Sequence, residues 1–118
     1  MIFKANEHSV ERKENAAGGK GFLNIEHLLG AAQLQNQCGL FAHVTIEPNS
    51  SLGYHEHHGE GEAYYIIRGT GLYSDNGTPV QVKAGDVVFC PDGEGHGIEN
   101  TSADEPLEFV ALIIKNPA

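Results

Sequence analysis

The sequence predicts an all-β fold, and three observations carry that prediction. Short runs rich in β-branched and aromatic residues recur from Cys38 onward, turn signals separate them at intervals of about 8 to 12 residues, and 15 glycines suit such turn density. A chain of 118 residues can bury one core and is too short for two. The reading is a single domain: an N-terminal arm over residues 1–37, with a strand or short helix packing on a barrel formed by residues 38–118.

Taken in order, residues 1–21 are polar and end in AAGGKG, a flexible-loop signature. FLNIEHLLGAAQL follows. Its first half is compatible with a strand, whereas Glu26 to Leu34 reads better as a short helix, which would be the only one of note. GLFAHVTIEP alternates, is rich in β-formers and stops at Pro48. EAYYIIRG is the next strand, followed by GLYSD. Asn76-Gly77 is a strong two-residue turn signal, from which TPVQVKAG returns. DVVFCP reads as a buried strand, and HGIENT and LEFVALIIK complete about eight strands.

Composition narrows the partners. A formal net charge of −9 with only seven scattered Lys and Arg argues against nucleic acid and against an anionic membrane surface. No apolar run approaches the roughly 20 residues of a spanning helix. The N-terminal residues lack the apolar centre of a secretory signal, so a cytoplasmic location is expected. Cys38 and Cys90 have no CxxC spacing and read as reduced thiols.

The chemistry concentrates in two stretches. In GYHEHHGEGEAYY, residues 53–65, His55 and His57 stand at i and i+2, so a strand projects both imidazoles from one face. A glycine-flanked turn then leads to Glu62, which can lie opposite the two histidines across an antiparallel pair. In GDVVFCPDGEGHGIEN, residues 85–100, a strand runs into a Pro-Gly loop and emerges with His96 between two glycines. Three imidazoles and one carboxylate suit one divalent ion (Fe, Mn, Zn or Ni). They would leave two open positions on an octahedral ion, which separates a catalytic metal from a structural one.

Both stretches resemble the motifs of the cupin superfamily, small double-stranded β-helix (jelly-roll) barrels. The first motif, HxHx3–4E followed by six residues and Gly, corresponds to His55, His57, Glu62 and Gly69. The second, Gx5PxGx2Hx3N, corresponds to Gly85, Pro91, Gly93, His96 and Asn100. With its flanking strands the resemblance covers about two-thirds of the chain. One departure is Asn49, where the first motif normally begins with Gly; Asn also tolerates left-handed backbone. The resemblance implies a range of activities: dioxygenases, decarboxylases such as those acting on oxalate, sugar isomerases and epimerases, lyases, and non-enzymatic sugar binders. It also implies a homodimer formed by edge-strand exchange, with FLNIEHLL covering the partner's sheet edge.

Each neighbour of the four ligands receives its own expectation. Glu56, His58 and Glu60 are expected to point outward, and His8 and His27 to be ordinary surface or partly packed residues. His43 shares a face with Phe41 and Thr45; with Phe41, Arg68 and Phe89 it forms a set of candidate pocket residues. Tyr54, Tyr64, Tyr65, Phe89 and Phe109 are expected mostly in the core, one or two of them walling the metal. Cys90 is expected buried and Asn100 to be a structural hydrogen-bonder. Glu62 and Tyr64 are the candidate proton carriers. Glu56, Glu60, Asp92 and Glu94 suggest an acidic rim, balanced only by Arg68 and Lys83. Such a rim repels a dianion, so a neutral polyol, sugar or hydroxy acid fits it better. Two function classes follow: a metal-dependent enzyme (oxidoreductase, decarboxylase-type lyase or sugar isomerase) acting on a small oxygen-rich metabolite, or a non-catalytic module sensing a sugar or acid through the same metal.

Overall fold

The computed structural model describes residues 1–117. Its strands are β1 (Ser9–Glu14), β2 (Phe22–His27), β3 (Cys38–Ile46), β4 (Ser51–Glu56), β5 (Glu60–Arg68), β6 (Thr70–Asp75), β7 (Thr78–Lys83), β8 (Val87–Cys90), β9 (Gly95–Glu99) and β10 (Leu107–Lys115). One α-helical turn, α1 (Ala31–Leu34), and two 3₁₀ turns, Ala5–Glu7 and Ala16–Gly18, complete the elements. All pairing is antiparallel: a six-stranded sheet in the order β1-β2-β3-β10-β5-β8 and a four-stranded sheet in the order β4-β9-β6-β7. This is the architecture expected of a double-stranded β-helix. Among the described residues no helix is long and apolar enough to cross a membrane.

The period-2 alternation of the strands builds the core. On β3, Ala42, Val44 and Ile46 point inward; on β10, Leu107, Phe109 and Ala111 do; on β5, Tyr64 and Ile66 do. Tyr73, Val82 and Ile98 answer them from the smaller sheet. Asn76 and Gly77 take φ of 50° and 98°, the positive pair that a two-residue hairpin turn requires. Asn49 has φ 57°, so Asn adopts the left-handed backbone here. Asn100 donates to the carbonyls of Ile46 (3.0 Å), Glu47 (3.3 Å) and Glu105 (2.8 Å) and accepts from the Ser102 N–H, pinning the loop before β10.

The N-terminal residues depart from expectation. Ser9–Glu14 forms a strand in a stretch read only as a polar part of the arm, because all six residues pair with β2, from Ser9 opposite His27 to Glu14 opposite Phe22. The helix begins at Ala31 rather than Glu26, since Glu26 and His27 stay extended opposite His43 and Ala42. The segment expected to cover a partner's sheet edge is paired with β3 of its own chain. The 3₁₀ turn at Ala16–Gly18 lies against β4 so closely that a Cβ on Gly53 would sit 2.1 Å from the Ala17 carbonyl oxygen. That approach holds Ala16 and Ala17 in the lining of the barrel's cavity.

Candidate metal centre and ligand cavity

β4 and β9 bring the histidines together. His55 on β4 is the direct cross-strand partner of His96 on β9, and His57, just past the end of β4, shares His55's face. The three rings meet edge-on with centroids 4.7 to 5.0 Å apart. Glu62 comes from β5, in the opposite sheet, paired on its two sides with Ile113 and Cys90. The carboxylate therefore reaches the imidazoles across the interior of the barrel. It does not do so across an antiparallel pair, because β4 and β5 belong to different sheets and only the turn through Gly59 (φ 78°) joins them.

The donor atoms converge tightly. Glu62 Oε1 lies 3.0 Å from both His57 Nε2 and His96 Nε2 and 3.7 Å from His55 Nε2. The two closer Nε2 atoms are 3.1 Å apart. One ligand atom from each of the four residues falls within 4.8 Å of the others. Ligand atoms at about 2.1 Å from a first-row ion stand about 3.0 Å apart when adjacent in an octahedron, so this donor set fits a divalent metal. His57, Glu62 and His96 are buried, and His55 is half-buried facing the cavity.

The outward nitrogens are held as well. His55 Nδ1 donates to the Gly53 carbonyl at 2.8 Å, and His96 Nδ1 sits 2.8 Å from the Tyr73 hydroxyl. A metal at Nε2 requires the ring proton on Nδ1. The Gly53 carbonyl can only accept that proton from His55, and the Tyr73 hydroxyl oxygen is placed to accept it from His96, whereas without a metal His96 Nε2 is free to donate to Glu62. His57 Nδ1 faces the Glu60 carboxylate at 3.6 Å. Glu60 therefore faces the site rather than away from it: β5 starts two residues earlier than Glu62, which gives Glu60 the same strand parity. Glu56 and His58 do lie outside, exposed and 3.0 Å from each other.

Electrostatics follow the geometry. Burial alone would raise the Glu62 carboxyl, but hydrogen bonds from His55 and His96, with the charge of His96 and His57, together outweigh it and bring Glu62 down to about 2. His55 is raised chiefly by its bond to Glu62, and His96 is lowered chiefly by burial. Tyr64 lies 3.1 Å from Glu62 Oε1 and 3.4 Å from His96 Nε2, stacked on the His96 ring. Burial, followed by the adjacent Glu62 charge, pushes its phenol well above 10, so it stays protonated.

Beside the cluster opens a cavity of about 310 Å³, walled mainly by Leu23, Ile25, Leu40, Val44, Phe109 and Ile113, with Lys13, Ala16 and Ala17 also in its lining. His43, Phe41, Arg68 and Phe89 are not among the cavity residues. His43 and Phe41 occupy the outer face of β3, because Ala42, Val44 and Ile46 take the inner one. There His43 bridges Glu26 (2.9 Å) and Glu108 (2.8 Å), with His8 on the other oxygen of Glu26. Arg68 pairs with Glu105 and Glu108 on the same face. Tyr54, Tyr65 and Phe89 are about half exposed rather than core, whereas Tyr64 and Phe109 are buried as expected. Glu56, Glu60, Asp92 and Glu94 do not line the cavity either; Asp92 instead accepts from the Gly59 N–H and from Asn116. Lys13 and Tyr73 are the site residues that sequence reasoning missed.

The family model described as Cupin domain matches residues 42–113. This chain belongs to the cupin superfamily. It is similar to an oxalate-binding protein of Thermotoga maritima, 46% identical over 97% of this chain and 93% of that one. A crystal structure described as a predicted oxalate decarboxylase from Thermotoga maritima superposes with a TM-score of 0.92 at 46% identity, covering 98% of this chain and 99% of that one. An RmlC-like cupin from Shewanella frigidimarina shares the fold at 13% identity, with a TM-score of 0.75 over 95% of this chain and 87% of that one.

Proposed function

We propose that this cupin is a metal-dependent protein that binds a small carboxylate and transforms it by lyase or oxidoreductase chemistry, decarboxylation foremost. The observation that carries the reading is the convergence of three Nε2 atoms and one carboxylate oxygen beside a cavity. In this reading His55, His57, Glu62 and His96 hold one divalent ion, of which Fe, Mn, Zn and Ni all suit the donors. When bound, the ion supplies a Lewis acid and exchangeable positions for substrate oxygens. The printed function of the 46%-identical Thermotoga maritima protein, oxalate binding, supports a carboxylate over a sugar. The expectation of a neutral ligand rested on an acidic rim; none of those acids lines the cavity, and Glu60 alone among them reaches the cluster, against His57 Nδ1.

The chain's own residues divide the remaining work. Glu62, held at about 2, stays ionised near neutral pH and is a poor proton carrier. Tyr64 keeps its proton and stands at hydrogen-bond range of two ligand atoms, so its single O–H donates to Glu62 and can turn to a substrate oxygen placed beside it instead.

Elemental analysis of the purified protein, then calorimetric titration with oxalate and with neutral sugars while CO2 release and O2 uptake are followed, tests the reading. One divalent ion per chain, carboxylate binding, and loss of both in His96→Ala are expected. Full metal occupancy with sugar binding and no response to any carboxylate would sink it. Carboxylate binding without turnover would leave the non-catalytic sensing module standing.

A further inference from the structure

The cavity is longer than the centre at its end. Outward from Glu62 on β5, its large-sheet wall is made by Phe109 and Ile113 of β10, Leu40 and Val44 of β3, and Leu23 and Ile25 of β2. The next polar side chain on this wall is Lys13 on β1, four strands away from β5. At about 4.8 Å per strand, that path along the curled sheet is on the order of 19 Å. An oxalate seated at the His55–His57–Glu62–His96 cluster leaves most of this wall facing water. A second carboxylate placed against its apolar part, short of Lys13, would be desolvated with no donor to receive it. Methylene groups placed there gain affinity, because each removes apolar surface from water on both partners. The volume agrees: at about 30 Å³ for each water-sized group, 310 Å³ accommodates roughly ten such groups, more than oxalate fills.

We propose that the preferred ligand is a monocarboxylic acid with a second oxygen on the adjacent carbon, which meets the cluster, and an apolar chain of roughly four to six carbons lying along Leu23, Ile25, Leu40, Val44, Phe109 and Ile113. The inference rests on the carboxylate reading above and narrows it to a 2-oxo or 2-hydroxy acid with an alkyl or aryl tail. Two adjacent oxygens match two exchangeable positions on an ion held by four protein ligands.

The test is calorimetric titration of the metal-loaded protein with oxalate and with straight-chain 2-oxo acids from glyoxylate to 2-oxooctanoate. Affinity is expected to rise about fourfold per added methylene until the wall is covered, then to level off. Ala111→Phe, which puts a ring into the cavity beside Phe109 and Ile113, is expected to weaken the longer acids about tenfold or more and leave oxalate and glyoxylate within about twofold. Chelator-stripped protein is expected to bind none of them. Oxalate binding with affinity flat or falling along the series overturns this inference and leaves the carboxylate reading intact. Binding of the long acids to stripped protein also overturns it, since the head would then not engage the cluster. Failure of oxalate and of every 2-oxo acid to bind loaded protein overturns the carboxylate reading itself.

Discussion

Tyr73→Phe removes one oxygen and tests whether the residues around the ligands set metal affinity. Tyr73 is 2% exposed and His96 fully buried, and the hydroxyl lies 2.8 Å from His96 Nδ1. Tyr64 stacks on one face of the His96 ring at 4.9 Å and Tyr73 meets its Nδ1 edge nearly perpendicular, so the ring is held on a face and an edge. After the substitution His96 has two alternatives. It can keep its proton on Nδ1, buried and unpaired, at a cost of about 1–3 kcal/mol. Otherwise it moves the proton to Nε2, where it blocks the lone pair a metal needs. Either route weakens the metal, by about tenfold to a hundredfold, equivalent to about 1.4–2.7 kcal/mol.

The assay is competition between the protein and a chromogenic chelator near neutral pH, run on wild type and variant with thermal unfolding of both metal-free forms. The expected result is a loss of metal affinity in that range with an intact fold. Unchanged metal affinity would refute the reasoning, even if the variant unfolded at lower temperature, because Tyr73 would then matter only as packing.

Two further outcomes follow from the fold and its charges. The lowered Glu62 carboxyl contributes stability that is present above its ordinary value of 4.5 and lost as pH falls toward about 2, on the order of 3 kcal/mol. His55 is raised above 6.5, so its contribution is complete below 6.5 and is lost as pH climbs through the raised value. The His8–Glu26 pair has the same signs. His96, lowered below 6.5 by burial, acts the other way and loses stability as pH falls below 6.5. Metal-free protein should therefore be most heat-stable towards the upper end of the window between about pH 4.5 and 6.5 and lose stability on either side of it, and a melting temperature that climbs steadily from pH 6.5 to 8 would contradict this. Asn100→Ala strips a buried donor from the carbonyls of Ile46, Glu47 and Glu105, so urea unfolding should show a loss of about 3 kcal/mol, and a loss below about 1 kcal/mol would count against it.

The strands from Cys38 onward are legible because half-buried antiparallel strands must alternate, and β3, β5 and β10 do so cleanly. The Asn76-Gly77 hairpin is legible because few residues tolerate positive φ twice in succession. β1 carries no such mark: SVERKE has no apolar face, and it is a strand only because β2 offers a free edge to pair with. Alternation also divides a strand into two faces without saying which is inside. On β3, Phe41 and His43 competed with Ala42, Val44 and Ile46, and the small aliphatic face packs more closely against the core. The same ambiguity hid Tyr73, which GLYSD places on the inner face only once β6 is paired between β7 and β9. Glu60 failed for a simpler reason: where β5 begins decides the parity of every residue after the Gly59 turn.

Charge was the least informative feature read from the sequence, and the structure gives the reason. The net charge of −9 belongs to the whole surface, and beyond about 8 Å in physiological salt its field is largely screened. Glu56 stands beside His57 in the chain and Asp92 and Glu94 just before His96, yet nearness in sequence says nothing about which residues line a cavity. The lining follows from the sheet order: β1 and β2 extend the large sheet away from β5, and the wall they add is apolar until Lys13. The cavity beside the histidines is thus lined mostly by aliphatic side chains, with one lysine. Much of the apolar lining of this cavity is therefore supplied by the N-terminal strands, and none of the lining by the acids flanking the metal motif.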